Sequence, residues 1–340
     1  MLRSVLGALS AELAIDAGSD QTRVLPDGRG VPLRFSSAVA LLTDRDGRQR
    51  VFAVGDEAAA IEGREPADMR VARPIVGGVV TDFEVFEALL RHLMHEVHGR
   101  RLWMGPRVAL AVPPATVEVE RRALREALEA AGAREVLLVE QPLACAAGCG
   151  LPVHEACGHM VVDIGAGKTT VAVTSLGGVA QSRVLGVGGI AMDDAIRALL
   201  RDHHGLVISA PEAARLRRAI GSAAPGAASG TALARGRCVD SGWPRAVEVD
   251  AAALRVVLQP VVGLIADAVL ATLERTAPDL AADIASTGVV LAGGAACLPG
   301  LDRTLGQSTG LPVVVAEAAE DATVRGAAAA LHAAAAVAAG

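Results

Sequence analysis

The sequence predicts an α/β protein built of two related lobes. Three observations carry that reading. Apolar runs of strand length alternate with helix-period segments along most of the chain. The 340 residues exceed what one domain usually holds. A short motif, D-x-G-x-x-x-T, occurs once in each half, as Asp16 to Thr22 and as Asp163 to Thr169, each directly after a strand-like run.

In chain order, Leu13–Ile15, Val108–Val112, Val136–Val139, Met160–Ile164, Val171–Thr174 and Val289–Leu291 read as strands. Glu118–Ala131 sets Ala123, Leu124, Ala127, Leu128 and Ala131 on one helical face and stops at Gly132. Met192–His203 repeats the pattern with Ile196, Leu199 and Leu200, and Leu254–Leu273 is a longer amphipathic segment. The tail, Ala327–Ala339, is mostly alanine with one His332 and reads as a surface-packed helix. At the other end, Leu2, Val5, Leu6 and Leu9 recur at helical spacing. Such a stripe suits a membrane interface or the protein's own surface, and Arg3 alone gives weak attraction to anionic lipid.

Composition narrows the function. Hydrophobic residues make up 52% and charged residues 21%, enough for a substantial core. Aromatics are 2% with no tyrosine, so that core must be Ala, Val, Leu and Ile. A net charge of −6 gives no reason to expect a nucleic-acid partner. No stretch is expected to reach the roughly 18 apolar residues of a membrane span, and the N-terminus shows no secretory signature. Five cysteines fit a reducing compartment, so a cytoplasmic location is expected.

The two motif copies carry the candidate chemistry. A tight turn between strands, with glycine at its apex, points several backbone N–H groups at one spot and can bind phosphate. Gly18 with Ser19, Asp20 and Gln21 is one such turn, and Gly165, Ala166 and Gly167 with Lys168 the other. Asp16 and Asp163 end the preceding strands and could hold a hydrated Mg²⁺. Two ordinary hairpins with Asx-type turns would read the same way. Ala292-Gly293-Gly294-Ala295 follows a strand and could accept a base or ribose, or be a plain strand-to-helix turn. A P-loop reading of Gly167-Lys168-Thr169 fails, because the glycine needed five residues earlier is Val162. Cys145, Cys149, His154, Cys157 and His159 lack zinc-pair spacing, and thiols in an alanine-rich segment are more often small core residues.

Several longer stretches occur in a recognisable order: Ala72-Arg-Pro-Ile, Val112-Pro-Pro, Val119-Glu-Arg-Arg-Ala-Leu-Arg, Ala131-Gly-Ala-Arg-Glu-Val, Val139-Glu-Gln-Pro-Leu-Ala, Gly150-Leu-Pro-Val, Met160-Val-Val-Asp-Ile-Gly, Ala219-Ile-Gly-Ser-Ala and Pro278-Asp-Leu-Ala-Ala-Asp-Ile. Through them the chain resembles the MreB/Mbl family of rod shape-determining bacterial actin homologues, from about Leu13 to about Ala330. The resemblance implies an actin-like ATPase fold: two lobes, each a mixed sheet flanked by helices, with four subdomains around a nucleotide cleft. It implies a segment 1–10 for the membrane, domain I over 11–148 plus 317–340 with an insert at about 35–79, and domain II over 149–316 with an insert at about 189–249. It also implies ATP and Mg²⁺ as cofactors, homopolymer filaments on the inner membrane surface, and partners among cell-wall elongation proteins.

Residue by residue, the resemblance assigns phosphate contacts to Gly18–Gln21 and Gly165–Lys168, a metal role to Asp16, and both a metal and a catalytic role to Asp163. It assigns adenosine contacts to Ala214, Arg215, Leu216, Arg217, Arg218, Gly293, Gly294, Ala295 and Ala296, and the positioning of the hydrolytic water to Gln141. The departures converge on this site. The family's Glu before Pro142 is Gln141, as in actin; an amide can orient a water but cannot take its proton. Its Gly-Gly-Gly-Thr-Thr-Glu loop is here Gly165-Ala-Gly-Lys-Thr-Thr170, its adenosine-contacting Glu and Lys are Ala214 and Arg217, and an Asp after the Gly188-Gly189 pair is Ile190. Ala166 is expected to crowd the turn, and Lys168 either to meet the γ-phosphate or to take its place. A divergent member with weak or absent ATP turnover is therefore expected. An inert scaffold is the competing reading, and a small-molecule kinase the less favoured one, since no acceptor-side carboxylate stands in a matching context.

Overall fold

The computed structural model describes residues 11–98 and 105–339; the apolar stripe from Leu2 to Leu9 lies outside the described residues. The chain divides into two compact units, Met1–Pro152 with Asp321–Gly340, and Val153–Glu320.

The first unit begins β1 (Glu12–Ala17), β2 (Gln21–Pro26), β3 (Leu33–Ser36), β4 (Val39–Thr43), β5 (Gln49–Val54), α1 (Asp56–Ile61), β6 (Met69–Ala72), β7 (Ile75–Val76) and β8 (Val79–Val80). It continues with α2 (Phe83–His98), β9 (Arg107–Val112), α3 (Glu118–Ala130), β10 (Glu135–Glu140) and α4 (Gln141–Gly148). Its main sheet runs β10-β9-β1-β2-β3. The first three strands form an antiparallel meander, and β9 and β10 join alongside β1 in parallel. Strand alternation explains the two cores. Leu13 and Ile15 of β1 pack with Phe86, Leu90 and Leu128 on one side. Ala14 and Ala109 face the opposite way, where Val324, Ala327 and Leu331 cover them. β4, β5 and β6 make a separate small antiparallel sheet.

The second unit contains β11 (His159–Ile164), β12 (Thr169–Ser175), β13 (Gly178–Leu185), α5 (Gly189–His204), β14 (Leu206–Val207), α6 (Ala210–Ile220), β15 (Thr231–Cys238) and β16 (Pro244–Asp250). Then come α7 (Ala251–Leu273), α8 (Pro278–Thr287), β17 (Val289–Ala292), α9 (Leu301–Thr309) and β18 (Val313–Val315). The main sheet runs β13-β12-β11-β17-β18, and β14, β15 and β16 form a small sheet. Read from the other edge, the main sheet has the connectivity of the first: a three-strand meander whose first strand is extended by two later parallel strands. The repeated sequence motif is thus the β1–β2 turn in one sheet and the β11–β12 turn in the other.

Two expectations need correction. The last helix, α10 (Ala322–Ala339), starts earlier than the alanine tail and is not merely surface-packed. Val324, Ala327, Ala328 and Leu331 are almost fully buried in the first unit's core, since small side chains allow close approach to the sheet. And α7 is long and apolar enough, by length and composition, to cross a membrane. Its position gives another reason for that character: Leu254, Leu258, Val262, Ile265 and Val269 are buried in the second unit's core.

Candidate functional site

The two motif turns share one geometry. The Gly18 N–H donates to the Gln21 carbonyl at 3.1 Å, and the Gly165 N–H donates to the Lys168 carbonyl at 2.9 Å. Each motif threonine is fully buried and ties its hairpin to the segment that follows. Thr22 Oγ1 lies 2.8 Å from Ser37 Oγ, and Thr169 Oγ1 donates to the Val187 carbonyl at 2.7 Å. The threonine of D-x-G-x-x-x-T is therefore an anchor for the turn.

In the second unit the hairpin is braced by α5. The carbonyls of Gly165 and Ala166 accept from the Gly189 and Ile190 N–H groups at 3.0 and 2.8 Å. In a trans peptide the N–H points opposite to the carbonyl it shares a plane with. The N–H groups of Ala166 and Gly167 are therefore turned away from the helix, side by side, and among the described residues no backbone carbonyl accepts from either. Adjacent outward amides of this kind form an anion-binding concavity. The bracing needs a glycine at 188: a β-carbon there would lie 2.5 Å from the Gly165 oxygen and 2.8 Å from that of Ala166. Ala166 itself is not among the residues with positive φ, so its methyl group brings no backbone strain. Ile190 serves through its N–H, with its side chain exposed, which explains why an apolar residue is accepted there.

Asp163, at the carboxyl end of β11, is buried against the next strand's turn: a β-carbon on Gly293 would meet its Oδ1 at 2.5 Å. The Ala295 N–H donates to the Ile164 carbonyl at 2.9 Å, which fixes the Gly293–Ala296 turn beside the hairpin. Ala295 and Ala296 are buried, and Gly294 is exposed. Directly across the strand pair from Asp163 stands Thr170, on the same face of the sheet, and its buried Oγ1 has no hydrogen-bond partner among the described residues.

Of the α6 residues assigned to adenosine, Arg217 is brought to the hairpin's support. A β-carbon on Gly189 would lie 3.2 Å from Arg217 Nη2 and 3.6 Å from Ala295 Cβ. Its guanidinium is held in a two-pronged pair with Asp193 on α5, at 2.7 and 3.4 Å, with both side chains largely buried. Arg215 turns to the small sheet, bonding Glu212 at 2.8 Å and the Leu233 carbonyl at 2.6 Å. The Arg215 hydrogen bond holds the Glu212 carboxyl below its ordinary pKa; burial opposes this, and the Arg235 N–H helps. Leu216 is fully buried in the apolar core, Ala214 is half-buried, and Arg218 is exposed.

In the first unit, Asp16 pairs across to Ala111, and Ala111 to Val139. Asp16, the first hairpin and Gln141, which opens α4 just past β10, therefore share the carboxyl edge of the parallel strands, where ligands gather in α/β sheets. The hairpin is clamped from outside. Ser19, buried, accepts from the Gly78 N–H at 3.3 Å. Arg73 donates to the Asp20 carbonyl at 3.2 Å and pairs with its carboxylate at 3.3 Å, while Glu62 holds the guanidinium at 2.7 Å. Burial works against the Arg73 charge, but the hydrogen bond and charge of Glu62 and the charge of Asp20 outweigh it and raise its pKa. Sequence reasoning missed both Arg73 and Asp193 as site residues. The Ala72-Arg-Pro-Ile stretch was a signal for the first; for Asp193 the signal was an acid one helical turn past the glycine pair.

The profile of the MreB/Mbl protein family matches residues 10–339. The cell shape-determining protein MreB of Escherichia coli (strain K12) is 43% identical over 320 residues, covering 93% of this chain and 92% of that protein. The cell shape-determining protein Mbl of Bacillus subtilis (strain 168) is 35% identical over 306 residues, covering 90% and 91%. A solved structure, MreB 5 of Spiroplasma citri bound to AMPPNP, matches with a TM-score of 0.87 at 29% identity, covering 93% of this chain and 94% of that one. The fold is accordingly actin-like, two mixed sheets flanked by helices. On a match that spans nearly its whole length, the chain belongs to the MreB/Mbl family.

Proposed function

We propose that this chain is a cell shape-determining cytoskeletal protein of the MreB type. It binds ATP with Mg²⁺, assembles with copies of itself into filaments at the inner face of the cell membrane, and there organises cell-wall synthesis. The observation that carries the reading is the Gly165–Lys168 hairpin with its paired outward amides, which follows directly on the strand that ends in the buried Asp163 and Ile164. The relative from Spiroplasma citri bound to AMPPNP supports a nucleotide as the ligand. In the second unit Asp163 is the carboxylate that would hold Mg²⁺ through its waters; Asp16 ends the corresponding strand of the first unit. The orphaned Thr170 hydroxyl beside Asp163 fits a hydrated ion, whose water it could bond. When bound, the ion offsets phosphate charge. Gln141 orients a water but does not deprotonate it, so turnover is slow. The small sheets β4–β6 and β14–β16 serve as the inserts of the two domains. Self-assembly, the membrane surface and the elongation partners rest on family membership.

Equilibrium binding of a fluorescent ATP analogue with Mg²⁺, competed by unlabelled ATP and GTP, tests the ligand. Competable micromolar binding is expected. No binding by folded protein would favour the second reading, a scaffold that keeps the fold without nucleotide. The loss of the adenosine-side carboxylate at Ala214 and the commitment of Arg217 to Asp193 favour that alternative. The membrane reading predicts that deleting Met1–Ser10 abolishes co-sedimentation with anionic liposomes; retention of binding would sink it.

A further inference from the structure

The two hairpins are braced by different means. Behind the second, the carbonyls of Gly165 and Ala166 face the first N–H groups of α5, the positive end of a helix. Behind the first, a side chain takes that place. Arg73 Nη1 lies 3.5 Å from the Ser19 carbonyl oxygen and 3.2 Å from that of Asp20, and the Ser37 N–H donates to the Asp20 carbonyl at 2.8 Å. The peptide bonds here are trans, so the N–H groups of Asp20 and Gln21 point away from the guanidinium. Its direction is set from the far side. Nε and Nη2 donate to the two carboxylate oxygens of Glu62 at 3.1 and 2.7 Å, a fork that holds the guanidinium in one plane.

Asp20 stands four residues after Asp16, the place that Gly167 holds after Asp163. The first turn thus carries an acid at its tip, and a carboxylate there opposes an anionic ligand. The Asp20 carboxylate lies 3.3 Å from the same Arg73 Nη1 that meets the backbone. Resting on the nucleotide reading above, we infer that Arg73 is a positioning residue for the phosphates of the bound nucleotide. Without touching the ligand, it turns the Asp20 and Gln21 amides toward it and offsets the Asp20 charge that would repel it. The family resemblance gives neither Arg73 nor Glu62 a part in the site.

The test measures Kd for ATP with Mg²⁺ and for adenosine, each by competition with the fluorescent ATP analogue. The proteins are wild type, Arg73→Met, Asp20→Ala and the chain carrying both changes. Loss of hydrogen bonds from a charged group corresponds to about ten- to a hundredfold in affinity. Arg73→Met is expected to weaken ATP by that factor and to spare adenosine, which has no phosphate. The same substitution made on Asp20→Ala should cost less, since no acid is then released beside the ligand. ATP bound by Arg73→Met as tightly as by wild type would overturn the inference. An equal loss of ATP and adenosine would do the same, by making Arg73 a support of the fold alone. An equal cost of Arg73→Met in both backgrounds would remove its charge role. Wild type that binds no ATP would instead remove the nucleotide reading, and this inference with it. Glu62→Ala is a second variant, at an exposed position, that frees the guanidinium without touching the turn. It should weaken ATP in the same direction and spare adenosine. Unchanged ATP affinity in that variant would overturn the positioning role, even where Arg73→Met fails to fold.

Discussion

A Gly326→Ala protein is expected to lose about 3 kcal/mol of stability, a fall in melting temperature of roughly 6–12 °C for a unit of this size. The reason is the crossing of α4 and α10. A β-carbon on Gly326 would lie 1.7 Å from the Ala144 carbonyl oxygen, and one on Gly148 would lie 1.7 Å from that of Ala322. Both obstacles are backbone, so no side chain can swing aside, and the helices must separate. Separation would uncover Val324, Ala327 and Leu331 from β1 and β9. Gly263 is the control. It lies within α7, has nothing within 4 Å of its would-be β-carbon, and should gain about 1 kcal/mol on replacement by alanine. Thermal melts of the two variants check the pair. Equal melting temperatures would show that the helices tolerate a wider crossing.

The second large effect is at Asp193. Replacing it with alanine leaves the Arg217 guanidinium largely buried without its carboxylate, and removing one partner of such a pair costs about 3–5 kcal/mol. Arg217→Ala should cost a comparable amount from the other side. The combined Asp193→Leu, Arg217→Met chain removes both charges while keeping the volume. It should recover most of the loss, because the desolvation penalty of the ions disappears with them. Urea denaturation of wild type, Asp193→Ala, Arg217→Ala and the Asp193→Ala, Arg217→Ala double variant closes the cycle, with the Leu/Met chain measured beside it. Additive single-site losses would mean that the two residues act separately, against the geometry. Nucleotide affinity need not recover in the Leu/Met chain, since Arg217 lies beside the N-terminus of α5 that braces the hairpin.

Six strands of the main sheets, β1, β9, β10, β11, β12 and β17, were legible as short aliphatic runs; β2, β3, β13 and β18 were not, and of these β3, β13 and β18 are partly exposed. The motif repeat foretold the equal topology of the two sheets, since a hairpin turn is local. What escaped detection depends on distant partners. Arg73 reaches Asp20 across 53 positions and Arg217 reaches Asp193 across 24, and no periodicity reveals either. The start of α5 at Gly189 was missed because its first residues brace the hairpin through N–H groups and carry no apolar period. The tail was misjudged because alanine is equally at home on a surface and against a sheet. Leu216 shows the limit of carrying an assignment along a helix: its neighbour Arg217 reaches the hairpin's support, while Leu216 itself lies in the core.

The return of α10 to the first unit has a consequence for synthesis on the ribosome. The sheet of β1, β2, β3, β9 and β10 is complete in sequence by Glu140, but the helix that covers one of its faces begins only at Ala322. Translation of the intervening unit takes on the order of ten seconds. During that time the face bearing Ala14, Leu25 and Ala109 meets Ala144 of α4 but lacks α10, while Val153–Glu320 is a continuous segment able to close as soon as it emerges. The nascent first unit is therefore the part that needs a holding chaperone. A chain that stops before Ala322 would damage the beginning of the protein before it damaged the middle.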